Sequence, residues 1–253
     1  MQPDNPLKQF LNIITVLALP LIILMAYALA DVKFPYQPDR IDLSALYKER
    51  DKGKIVKLHD RDTVVVDSAT QRILFIGDSM IEGLGPRMSQ WAEVSGHELT
   101  NVCWYGSSTE KWVESDTLRS FIKRSSPTFV MICLGSNEQF VRDIDKRARY
   151  VDAMLAAIGD IPYVWICPPA WKKDTGINDM IKERVGQKHF FDSRNLHFDR
   201  GKDHVHPVKS SFVAWMDNIA QWLQSQNTAH PIVLVEPQPA TKGKCHSYYL
   251  SIE

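Results

Sequence analysis

The tetrad Gly77-Asp78-Ser79-Met80 ends an apolar run, Ile73-Leu74-Phe75-Ile76, and leads into Glu82-Gly83-Leu84-Gly85-Pro86. That pattern predicts a buried strand closing in a tight turn. Ser79 then stands at the carboxyl end of a strand and near a helix N-terminus, where open α/β sheets place ligands and backbone N–H groups stabilise an anion. A serine hydroxyl is a weak nucleophile at neutral pH. It needs a base within hydrogen-bond reach and a third group that holds this base in one tautomer. The segment Asp203-His204-Val205-His206-Pro207 can supply both. A loop with Asp three residues ahead of His can curl so that the carboxylate meets one ring nitrogen while the other faces the serine, and Pro207 suits the first position of a following helix. A tetrahedral intermediate also needs donors aimed at its oxyanion. The backbone N–H groups of Ser79 and Gly106 and the side-chain amide of Asn137 are the candidates, and Gly106, with no Cβ, lets a substrate approach its backbone. The chemistry of the set is acyl transfer through a covalent serine intermediate.

Each piece has a plainer reading when taken alone. Gly-Asp-Ser occurs in ordinary turns, Asn137 followed by Glu138 could cap a helix, and Asp203 and His206 could be solvated loop residues. His204 competes for the role of base, although it adjoins Asp203 and its side chain should point elsewhere. His59, His97, His189, His197, His230 and His246 are most simply surface or structural residues. Trp104, Tyr105, Trp112 and Trp171 fall near rim loops and could stack on sugar rings, with core packing as the alternative.

The elements that must position these residues follow from periodicity. Short apolar runs at Ile73-Ile76, Leu99-Cys103, Phe129-Leu134, Tyr163-Cys167 and His189-Phe191 alternate with helical stretches near 83–94, 111–124, 142–158 and 177–186. Ile144, Ala148, Val151, Leu155 and Ile158 repeat at spacings of four and three, one apolar stripe facing a sheet. A last helix follows Pro207, with Phe212, Trp215, Met216, Ile219 and Leu223 on one side. Strands alternating with helices predict a parallel sheet covered on both faces, whose connections deliver the following loops to one edge. Gly77-Asp78-Ser79, Trp104 to Ser108, Gly135-Ser136-Asn137-Glu138 and Asp203 to Pro207 share that expected rim.

The 253 residues, 44% hydrophobic and 24% charged, suit one globular domain of about 170 to 200 residues with appendages. Thirty basic residues balance thirty acidic ones, and without a basic run or a zinc-finger spacing nucleic acid is set aside as a partner. Cys103, Cys133, Cys167 and Cys245 form no CxxC pair. Cys133 and Cys167 fall in strand-like runs and read as small buried hydrophobes, with a disulfide as the alternative in an oxidising compartment.

Phe10 to Ala30 is almost continuously apolar, and about 20 such residues suffice to cross a bilayer as a helix. An uncleaved membrane anchor over 1–30 is expected, with a signal peptide ending at Ala28-Leu29-Ala30 as the alternative. Residues 31–71 form a polar juxtamembrane spacer with a hairpin of Ile55-Leu58 and Thr63-Val66. The main domain is expected over 72–226, and a tail over 227–253 adds an edge strand or lies over the domain.

Gly77-Asp78-Ser79-Met80, Gly106, Gly135-Ser136-Asn137-Glu138 and Asp203-His204-Val205-His206-Pro207 resemble, in order, the blocks of the SGNH (GDSL-type) hydrolases, over about residues 72 to 226. Two positions depart from the common pattern. Met80 stands where Leu is usual, a near-isosteric swap, and Glu138 stands where Asp is usual and must be housed differently. The resemblance implies a three-layer α/β/α sandwich with a flavodoxin-like parallel five-stranded sheet, preceded here by the N-terminal transmembrane helix. It implies Ser79 as nucleophile, His206 as base, Asp203 as its partner, and Gly106 with Asn137 as oxyanion donors, with no metal and no organic cofactor. The expected activity is an extracytoplasmic serine esterase removing acyl, above all acetyl, groups from carbohydrate or envelope polymer. Alternatives are an O-acyltransferase supplied by a multispanning membrane partner, a lipid esterase or thioesterase, and an inert anchored binding protein.

Overall fold

The computed structural model describes residues 65–251. Its strand β1, Arg72–Gly77, is buried from Ile73 onward. Ile73 and Phe75 enter one hydrophobic core, and Leu74 and Ile76 enter a second. A strand apolar on both sides is what the middle of a parallel sheet requires, because helices cover both faces. Strands β2 (Glu98–Trp104), β3 (Phe129–Cys133), β4 (Tyr163–Ile166), β5 (Phe190–Phe191) and β6 (His246–Leu250) complete a six-stranded sheet of order β5-β4-β3-β1-β2-β6. Every pairing is parallel. The order reverses between β2 and β3 on either side of β1, which makes the carboxyl end of β1 a topological switch point.

Among the described residues there are six α-helices: α1 (Met80–Ser95), α2 (Thr109–Glu114), α3 (Thr117–Ser125), α4 (Ile144–Ile158), α5 (Ile177–Val185) and α6 (Lys209–Leu223). The buried side chains of α1 and α6 belong to the first core and those of α2 to α5 to the second, consistent with a three-layer α/β fold. Cys133 and Cys167 are both fully buried free thiols, one in each core.

The sheet has six strands, not the five expected. The sixth comes from the tail: His246–Leu250 pairs with Thr100 to Trp104 of β2. The more apolar Ile232-Val235 makes only an isolated bridge, Ile232 to Asp67, while Ile232 and Leu234 pack into the first core. The helix expected over 111–124 is two helices. Ser115 interrupts it, its hydroxyl donating to the Lys111 carbonyl at 2.7 Å and meeting Thr117 Oγ1 at 2.8 Å, so side-chain bonding competes with continuation of the helix. The helix expected near 83–94 is α1, which starts three residues earlier, at Met80, and includes the Gly-rich segment 83–86. Gly83 is there for close packing, because a Cβ on it would stand 2.3 Å from the Phe212 ring of α6.

That close packing sets the distance between the two helices that begin beside the predicted site. Asp217 on α6 accepts from Arg87 Nε at 2.7 Å, from Arg87 Nη2 at 3.1 Å and from Trp91 Nε1 at 2.7 Å, all on α1. Trp215 on α6 is fully buried and donates from Nε1 to the buried Ser193 Oγ at 2.7 Å. The expected anchor at Phe10 to Ala30 and nearly all of the hairpin lie outside the described residues. Among those described, no helix is long and apolar enough to cross a membrane.

Trp215→Ala should lower unfolding stability by about 3 to 5 kcal/mol, the range for deleting a buried aromatic, as read from a denaturant melt. A loss under about 1 kcal/mol contradicts the packing described.

Candidate active site

Ser79 occupies the N-cap position of α1, yet its hydroxyl caps nothing. A serine there ordinarily accepts from an N–H of the first turn. Here Asp78 takes that work, Oδ1 accepting from the Met80 N–H at 3.0 Å. The Ser79 hydroxyl is left to meet His206 Nε2 at 2.8 Å. Gly77 lets the turn form, because a Cβ on it would lie 2.2 Å from the Cys133 carbonyl oxygen of β3.

Asp78 is fully buried, and Ser136 Oγ donates to its Oδ2. Burial pushes its carboxyl up to about 6, against the lowering effect of the bonds from Ser136 and Met80. The residue therefore joins the turn after β1 to the turn after β3, on which Asn137 stands next to Ser136.

His206 lies in a tight loop before α6. Its Nδ1 is 2.6 Å from Asp203 Oδ2, while Asp203 Oδ1 accepts from the Val205 and His206 N–H groups at 2.9 and 3.0 Å. The bond from His206, followed by those two N–H donors, holds the Asp203 carboxyl well below the usual carboxylate range. With Nδ1–H donating to Asp203, Nε2 carries the lone pair that can accept the Ser79 proton. His204 sits at φ 59°, exposed, and makes no hydrogen bond to Ser79 among the described residues. The loop closes through the Gly201 N–H donating to the His206 carbonyl at 2.8 Å. Arg200 fastens it from outside, its guanidinium donating to the carbonyls of Val205, Pro169 and Ala170.

Gly106 and Asn137 follow β2 and β3, the two strands flanking β1. Gly106 has φ 66° and is exposed. Asn137 lies on a 3₁₀ turn, Ser136–Glu138, and its Nδ2 donates to the Ser107 carbonyl at 2.9 Å. An amide nitrogen has two hydrogens, and the second has no partner among the described residues. Asn137 does not cap α4, whose first turn is capped by Asp143. Both candidate oxyanion donors thus belong to one hydrogen-bonded pair of loops on the same sheet edge as Ser79.

Glu138, the long residue at the position where Asp is usual, is buried beneath this pair of loops. Its carboxylate accepts from the Thr109 N–H at 2.9 Å and from Thr109 Oγ1 at 2.7 Å, and lies 3.4 Å from Arg147 Nη1. The extra methylene reaches the start of α2 and ties the β3 turn to the β2 turn. Burial raises its carboxyl above the ordinary value, opposed by these partners.

The sequence reading missed Asp78 as a buried cap, Ser136 as its partner, Glu138 as a tie and Arg200 as a clamp. The adjacency of Asp78 to Ser79 was the available signal for the first; nothing in the residue type or spacing of Arg200 marked it. Among the aromatic residues, Trp104 and Trp112 are buried core, 5.3 Å apart in a T-shaped pair. Tyr105 stacks on the exposed Tyr249, and Trp171 meets the exposed Phe140 edge-on. No protein-family model matches this sequence, and no curated protein matches it either.

The raised Asp78 carboxyl makes stability depend on pH. It lies at about 6 in the fold against an ordinary 3.8, so the fold holds a proton that the unfolded chain releases. The resulting stability is complete below about pH 4 and is lost as pH rises through about 6, on the order of 3 kcal/mol in all. Asp78→Asn lacks this loss. The stability of the variant minus that of the unaltered protein should therefore climb between pH 4 and pH 7 in urea melts; a flat difference curve contradicts the assignment.

Proposed function

We propose that this chain is a serine esterase of the SGNH type, extracytoplasmic and tethered by the apolar segment Phe10 to Ala30, that removes acyl groups, acetyl above all, from carbohydrate or envelope polymer. The observation that supports the reading is the hydrogen-bonded sequence Asp203–His206–Ser79, with the serine hydroxyl released from capping and aimed at the base. The six-stranded parallel sheet, whose strands β2-β1-β3-β4-β5 keep the flavodoxin-like order, is compatible with the SGNH fold.

In this reading Ser79 Oγ forms a bond to the ester carbonyl carbon while its proton passes to His206 Nε2. Asp203 stabilises the imidazolium that results. The oxyanion is met by the N–H groups of Ser79 and Gly106 and by the Asn137 amide. Collapse breaks the bond between carbonyl carbon and alcohol oxygen, and the proton on Nε2 leaves with the alcohol. Water, deprotonated by His206, then releases the acyl group and restores the serine. An acceptor hydroxyl in place of that water turns the same residues into an O-acyltransferase.

Ser79→Ala should lower kcat on an activated acetyl ester by about 10⁴-fold or more, and Asp203→Asn by on the order of 10⁴-fold, with both variants still folded. Unchanged turnover in Ser79→Ala overturns the assignment. Free acetate measured against acetate transferred to an added sugar separates hydrolysis from transfer.

A further inference from the structure

A cavity of about 400 Å³ opens between α1 and α6 with both Ser79 and His206 in its wall. It continues over Pro86, Phe212 and Val213, and neither Gly106 nor Asn137 lines it. This one-sidedness has a chemical meaning if the esterase reading above holds, on which this inference rests. The base that takes the serine proton must return it to the leaving oxygen when the tetrahedral intermediate collapses. The alcohol half of the ester therefore lies on the His206 side, and the oxyanion lies toward Gly106 and Asn137.

We infer that the cavity between α1 and α6 is the subsite for the alcohol half of the substrate, and that this alcohol is a ring the size of a sugar unit. The volume falls in the range of about 300 to 1,000 Å³ typical of sites for organic ligands and far exceeds the need of a methoxy group. Pro86, Pro207, Phe212 and Val213 offer an apolar wall for the flatter face of a ring. Lys209 stands exposed in the same lining, with no ion-pair partner among the described residues, and is free to meet hydroxyls at the ring edge. An acyl group attached to the same carbonyl carbon points away from this wall.

The test uses the full chain and four esters: methyl acetate, umbelliferyl acetate, an acetylated methyl glucoside and umbelliferyl butyrate. Val213→Trp fills the cavity and Val213→Ala enlarges it. In Val213→Trp, kcat/KM for each of the two ring acetates relative to methyl acetate should fall about tenfold, the scale on which a hydrophobic pocket discriminates. Val213→Ala should hold or raise that ratio. The butyrate-to-acetate ratio for umbelliferyl esters should stay within about twofold in both variants. A butyrate-to-acetate ratio that shifts in place of the ring-to-methyl ratio seats the acyl chain in the cavity and overturns the inference, as does a ring-to-methyl ratio unmoved in Val213→Trp. A fluorophosphonate keeps these failures apart from failure of the esterase reading. An unaltered protein that does not react at Ser79 overturns both readings, whereas labelling with the wrong selectivity overturns this one alone.

Discussion

A helix that begins immediately after a strand leaves its first N–H groups without partners, and the nearest polar side chain normally satisfies one of them. In this protein the nearest such side chain would be Ser79. The carboxylate of Asp78 takes the Met80 N–H instead and binds Ser136 with its other oxygen. Everything distinctive about the site depends on that substitution of one cap for another. It frees a hydroxyl at the end of the central strand, fixes the direction of α1, and locks the turn after β1 to the turn carrying Asn137. The cost is a carboxyl held in full burial, raised to about 6.

The second acid of the site lives under opposite conditions. The Asp203 side chain is half exposed and accepts from two backbone N–H groups as well as from His206, and its carboxyl is held low. Two carboxyls a few contacts apart are thus driven in different directions by burial and by hydrogen bonding. Asp203 remains an ion that orients an imidazole, while Asp78, screened from solvent, shapes the backbone. Glu138 repeats the arrangement of Asp78, a buried carboxyl spent on joining two loops.

What the sequence revealed and what it hid follow from the range of the interactions. β1 and β3 were legible because burial on both faces leaves continuous apolar runs, and α4 because one stripe at helical period faces the second core. That Ser79, His206 and Asp203 meet was legible because the proposed chemistry needs fixed residue types and Asp203 and His206 lie close in the chain. β6 was not: His246-Ser247-Tyr248-Tyr249-Leu250 is largely exposed at a sheet edge and gains its strand form from pairing with β2. The break at Ser115 was hidden as well. It turns on a local side-chain bond from the Ser115 hydroxyl to the Lys111 carbonyl. Glu138 read as an awkward replacement for Asp because the Thr109 that receives it lies on another loop.

The bond from Ser79 to His206 joins two elements that are far apart in the chain, one immediately before α1 and one shortly before α6. Its length is therefore a property of how those helices pack, more than of either loop. Gly83 lets Phe212 close onto α1, and Asp217 draws three donors from Arg87 and Trp91 onto α6. Arg200 then fixes the remaining freedom of the His206 loop by holding Val205 to the chain after β4. Gly106 and Asn137 have no such dependence, because they follow strands adjacent to β1 and are tied through Ser107, Ser136 and Glu138. A small shift of α6 would thus move His206 and leave Gly106 and Asn137 in place. The cavity that runs between α1 and α6 lies along the same seam, so a ligand seated there bears on the spacing that aims His206 at Ser79.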